Sequence, residues 1–227
     1  MDIQEQSRSL WATRRSAEQA LEGPLSAHAN LLTEAFAWFD VCTDRIARTD
    51  TQFGRVCALV VIKARNLALG CYSLALDALA QEAGALFRPL IESLELLEYL
   101  RQDPSRIAEA VESRLPPAGI IAQRIEGKFK DLRKYLNEHA SHLSLSPEAM
   151  GHLVSLKDGQ LRTAQPYNER VLRQNLKVLL AVVVAVARVA VTCVSVAQGE
   201  VQEALAADVN DLSQRTYGLI DQDQSSE

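Results

Sequence analysis

The sequence predicts an all-α fold, a helical bundle of about four long helices with short accessory helices, and three observations carry that prediction. Apolar residues recur at steps of three and four through most of the chain, Leu and Ala dominate, and aromatics make up only 5 %. Ten glycines and seven prolines are too irregularly placed for the evenly spaced turns of a sandwich or barrel. At 227 residues the chain suffices for one well-buried core and is short for two. The expected organisation is a helical arm over 1–24, one bundle domain over 25–218 and a disordered tail over 219–227.

A first helix is expected from near Ile3 to Leu21, where Gly23-Pro24 stops it. Ser26 can cap a second, in which Leu31, Ala35, Trp38, Cys42 and Ile46 form one stripe, ending near Arg48. Thr49, Asp50 and Thr51 offer caps for a long third helix to about Gln81. The segment Gly84–Arg101 continues the pattern, with Pro89 either opening a new helix or kinking the old one. Asp103-Pro104-Ser105 restarts a short helix to about Arg114, and Pro116-Pro117 is a break. Ile121, Ile125, Phe129, Leu132, Leu136, His139 and Leu143 then mark one face of an amphipathic helix interrupted by a histidine. Ser146-Pro147-Glu148 reads as the start of a helix over roughly 147–155, and Lys157-Asp158-Gly159 as a turn. From Tyr167 a helix runs to about Gln198, and Gly199 separates it from a last polar helix ending near Tyr217. The long members of the bundle are thus 27–48, 52–101, 118–144 and 167–198.

A net charge of -5 argues against a surface that binds nucleic acid all over, leaving Arg124, Lys128, Lys130, Arg133 and Lys134 as the one local excess of positive charge. Cys42, Cys57, Cys71 and Cys193 form no CxxC pair and read as reduced core thiols. With no signal-like apolar run at the amino terminus, a cytoplasmic location is expected. Val178–Ala197 approaches the length of a membrane span, but Arg188 at its centre costs roughly 2.5 to 3.5 kcal/mol on insertion scales, so we read it as a core helix. Its apolar surplus predicts a homodimer. Arg188 itself needs a carboxylate such as Glu92 or Glu95, or else lies on the outer side and reaches water.

The strongest chemical constellation is Arg133 with His139, one and two helical turns apart. An arginine can hold a phosphate while an imidazole moves a proton during attack by a ribose 2′-hydroxyl; Asn137 and His142 stand close by as support. The bland alternative is a solvated arginine and a core histidine. A second constellation is Arg88, Glu92, Glu95 and Glu98, in which Arg88 and Glu92 are spaced to pair. Glu138-x-x-x-His142 and His139-x-x-His142 do not match the Glu-x-x-His spacing of di-iron bundles, so no metal is expected. No glycine-rich phosphate loop, GxSxG or CxxC points to a cofactor.

Arg133, five intervening residues and His139 resemble the Arg-x4–6-His motif of HEPN-superfamily ribonucleases. GCYSLALDALAQEAGALFRPLIESLELLEYLRQDPSR at 70–106 and YLNEHASH at 135–142 resemble an uncharacterised bacterial HEPN-like group, and the resemblance covers roughly 50–145. Lys134 departs from the Asn, Asp or His that follows the arginine in active members. The resemblance implies a HEPN-like bundle in which Arg88 and Glu92 face the histidine helix, placed loosely in toxin or phage-defence systems. The leading expectation is a non-catalytic module binding a protein partner or an anion such as RNA, with Arg88, Glu92, Lys130, Lys134 and Arg188 as binding candidates. The alternative is a metal-independent ribonuclease using Arg133, His139, Asn137 and His142.

Overall fold

The computed structural model describes residues 3–140, 150, 154, 161 and 166–225. Among them are nine α-helices, one 3-10 turn at Pro104–Arg106 and a single isolated bridge between Val154 and Leu161, so the fold is all-α. We number the helices α1 (Ile3–Glu22), α2 (Ser26–Ala47), α3 (Gln52–Leu76), α4 (Ala80–Gln102), α5 (Ile107–Val111), α6 (Ala118–Arg124), α7 (Lys130–His139), α8 (Glu169–Gln198) and α9 (Glu203–Ser225).

The local punctuation behaves largely as its chemistry dictates. Thr51 caps α3 by accepting from the Gly54 amide at 3.0 Å, and Asn168 caps α8 by accepting from the Val171 amide at 3.1 Å. Gly199 ends α8 in the left-handed conformation at φ 72°, which a glycine adopts without a Cβ penalty. Ser26 is the first residue of α2 rather than its cap; Leu25, fully buried, takes the cap position without a side-chain bond. Pro89 lies inside a continuous α4 and opens no new helix, while the Ser93 hydroxyl donates to its carbonyl at 2.8 Å.

The centre of the molecule is α8, whose Val/Ala/Leu surface packs on α2, α3, α4 and α9. Both α3 and α8 are long and apolar enough to cross a membrane, yet α8 is mostly buried by its neighbouring helices. Exposed apolar residues occur on α3 at Leu59, Ile62 and Leu69 and on α8 at Val171 and Val196. All four cysteines are buried without disulfides, and burial pushes the Cys42 and Cys71 thiols up to about 12.

Three expected elements are corrected. The 52–101 region is a helical hairpin, because Asp77–Leu79 turn the chain with Ala78 at φ 59° and α4 folds back along α3. The 118–144 helix is two short ones, α6 and α7, separated by a turn in which Glu126 has φ 51°. The last helix does not end near Tyr217: it runs to Ser225, and its final turn is held by side chains from two other helices. The helix expected over 147–155 falls largely outside the described residues, as does the turn at 157–159.

Candidate functional site

The break between α6 and α7 creates the environment of Arg133. After Arg124 the chain turns, with the Gly127 amide donating to the Ala122 carbonyl at 2.9 Å. A Cβ at Gly127 would lie 2.6 Å from Glu95 Oε1, so any other residue here would push the Glu95 carboxylate aside. α7 then leaves in a direction that lays Arg133 beside Glu95, and Arg133 Nη1 donates to Glu95 Oε2 at 3.0 Å. The pair is withdrawn from solvent, its side chains 17 % and 3 % exposed. Burial pushes the Glu95 carboxyl above its ordinary range; Arg133 pulls it down and the neighbouring Glu92 pushes it up again. Glu95 Oε1 and Arg133 Nε are buried without hydrogen-bond partners.

His139 takes a different place. It closes α7, its ring lies 4.7 Å from that of Tyr135, and its carbonyl accepts from Gln81 Nε2 at 3.0 Å. With Gln81, Tyr135, Asn168, Arg170 and Asn175 it lines a cavity of about 770 Å³ between the first turns of α4, α7 and the start of α8. The Arg133 guanidinium instead points to Glu95, which lines a second cavity of about 560 Å³ on the other side of α7's root. The two residues that the sequence pairs are thus oriented toward different sites. Asn137, Lys130 and Lys134 are exposed and line neither cavity. His142 lies outside the described residues.

Arg88 and Glu92 form the expected pair within α4, 3.0 Å apart, and the α4 carboxylate that meets α7 is Glu95 rather than Glu92. The basic cluster disperses: Arg124 donates to the Tyr99 hydroxyl at 2.8 Å and Arg133 is bound to Glu95. Tyr99 is buried, its hydroxyl donating to Glu109 Oε2 at 3.0 Å and its ring lying 4.2 Å from the Arg106 guanidinium carbon. Lys128 remains, exposed at the rim of the 560 Å³ cavity.

That cavity is lined by α4, the turn at 125–129, α8 and α9, and is open to solvent on one side. Two of its lining carboxylates are paired, Glu95 with Arg133, and Glu98 with Arg101, whose Nε donates to Glu98 Oε2 at 2.8 Å, while Glu126 and Lys128 line it from exposed positions. The Arg101 hydrogen bonds hold the Glu98 carboxyl below its ordinary range against the opposing effect of burial. Arg188 has no such partner among the described residues. It is exposed on α8 at the cavity, and among the described residues no carboxylate stands within ion-pair distance of it. It takes the outer-side position, and Glu95, the carboxylate expected for it, belongs to Arg133.

A further ionic centre went unforeseen. His28 on α2 is buried and its Nε2 lies 3.0 Å from Asp223 Oδ2 on the last turn of α9. Arg173 Nη1 donates to Asp223 Oδ1 at 3.1 Å, and Lys177 Nζ is 3.4 Å from Oδ2. Burial drives the His28 ring below its ordinary value; Asp223 draws it upward by charge and hydrogen bond, and Arg173 and Lys177 add to the lowering. Burial works to raise Asp223, but His28, Lys177 and Arg173 together hold it low. The signal available in sequence was Arg173 and Lys177, two cations one turn apart at the head of an apolar helix and needing a counter-charge.

No group of three His, Cys, Asp or Glu residues placed to hold a metal occurs among the described residues. No family model, curated protein or solved structure matches the chain, so the HEPN resemblance rests on its short motifs alone.

Proposed function

We propose that the protein is a non-catalytic helical module that binds an anionic group at Arg188, in the cavity between α4, the 125–129 turn, α8 and α9. The observation that supports this reading is the isolation of Arg188. It is the only charged residue from 178 to 199, it faces the cavity, and its guanidinium lacks the carboxylate partner that most arginines of the fold possess. An uncompensated guanidinium beside partly apolar walls favours a carboxylate or phosphate that it can grip with two N–H groups. Lys128 from the 125–129 turn adds a second positive charge to the lining, beside Glu126 of the same turn.

The alternative of a metal-independent ribonuclease needs Arg133 free to clamp a phosphate. Its bond to the buried Glu95 and the orientation of His139 toward the other cavity weigh against that use. Titration of the isotope-labelled protein with inorganic phosphate and acetate at constant ionic strength tests the binding reading. Shifts at residues 185–192 that saturate in wild type and vanish in Arg188→Ala are expected. Cleavage of RNA in EDTA that is lost in folded His139→Ala would favour the ribonuclease instead.

A further inference from the structure

The walls of the Arg188 cavity define its ligand more narrowly than charge does. Leu94 on α4, Ile125 and Phe129 on the turn, and Ala185 and Val189 on α8 form an apolar lining behind the single unpaired guanidinium. Among the other charged lining residues Glu98 is matched by Arg101 and Glu95 by Arg133, while the exposed Glu126 and Lys128 add one charge of each sign, so Arg188 is left as the uncompensated charge of the lining. Its volume of about 560 Å³ lies within the roughly 300 to 1,000 Å³ typical of small-molecule pockets. A small hydrated anion would satisfy Arg188 and leave the walls wet. A neutral apolar molecule would cover the walls and leave the guanidinium facing an apolar neighbour.

We propose that this cavity takes an anionic amphiphile, a molecule with one carboxylate-like head held by Arg188 and an apolar body seated against Leu94, Ile125, Phe129 and Val189. The proposal rests on the reading of Arg188 as an anion-binding residue and adds the chemistry of what the anion carries. Lys128 lies at the rim, where it supports the head without entering the apolar part. α9 contributes Val209, Asn210 and Tyr217, so four segments of the chain line a half-open cleft in which the body can sit.

Calorimetric titration of the full chain with acetate, hexanoate, octanoate and octan-1-ol at fixed pH and ionic strength separates the two readings. Each buried methylene contributes about fourfold in affinity, so octanoate is expected to bind on the order of tenfold more tightly than hexanoate. Arg188→Ala and Arg188→Glu, at an exposed position, should keep their helicity by circular dichroism, lose at least tenfold toward octanoate and leave octan-1-ol unchanged. Acetate binding as tightly as octanoate would overturn the amphiphile and leave the anion reading standing. Chain-length dependence that survives both Arg188 variants would place the apolar body elsewhere and overturn both. Absence of binding by any carboxylate would overturn both as well.

Discussion

Two buried ionic centres hold this bundle together, and they differ in where the chain places them. Glu95 and Arg133 join α4 to α7 in mid-chain, with the turn at Gly127 folded over the carboxylate. Asp223 joins the last turn of α9 to α2 and α8, one carboxylate shared by His28, Arg173 and Lys177. The first has fewer partners and a buried oxygen without one; the second has more partners but sits at a helix end that can fray. A count of ion pairs would rank Asp223 higher. Accessibility of the relaxed state ranks Glu95 higher, because removing one member of an enclosed pair strands the other, whereas a terminal turn can open and let water in.

The sharpest way to break that ranking is Arg133→Ala. It leaves Glu95 buried and uncompensated, and we expect a loss of about 3 kcal/mol in urea unfolding, near the lower end for breaking a buried pair because Glu95 can take up a proton. Gly127→Ala comes next at about 2 kcal/mol, since its Cβ would press on Glu95 Oε1, the free oxygen of a carboxylate whose other oxygen Arg133 holds. Asp223→Asn should cost about 1 kcal/mol, with the lost amide protection confined to the end of α9. Equal losses for Asp223→Asn and Arg133→Ala would erase the distinction between an enclosed centre and a terminal one.

The smallest effect is one of sign. His28 titrates below its ordinary value of 6.5 in the folded chain, so the unfolded chain binds its proton first and stability is lost as pH falls below about 6.5. Glu95 titrates above its ordinary 4.5, so the folded chain binds its proton first and stability is gained as pH falls through the folded value. His28→Gln should therefore flatten the loss of stability that sets in below pH 6.5, and Glu95→Gln should remove a gain that is complete only below pH 4.5, so that the loss between pH 7 and 4 deepens. Urea midpoints measured across that interval check both, and slopes that change in the same direction would contradict the assignment.

The same contrast explains what was legible beforehand. The Gly23-Pro24 stop, the Thr51 cap and the Gly199 terminus were readable because each acts through its own backbone within a few residues. The Arg88–Glu92 pair was readable for the same reason, being one turn apart. Gly127 was not: apolar periodicity runs through it without interruption, and glycine inside a helix costs only about 1 kcal/mol, too little to mark a break. What occupies the space a side chain would fill at Gly127 is Glu95, 32 residues away in sequence. Ala78 offered no turn signal either, and its left-handed backbone is sustained by the packing of α3 on α4.

By itself the sequence determined the helical class, most helix limits and the central role of the Val178–Ala197 segment, because periodicity, capping and hydrophobicity act locally or without regard to partner identity. Tertiary structure alone decided which charges meet. It assigned Glu95 to Arg133 and so left Arg188 unpaired, and it brought Asp223 to His28 across 195 residues. An ion pair depends on distance and burial, and neither is encoded in spacing along the chain once the partners lie on different helices.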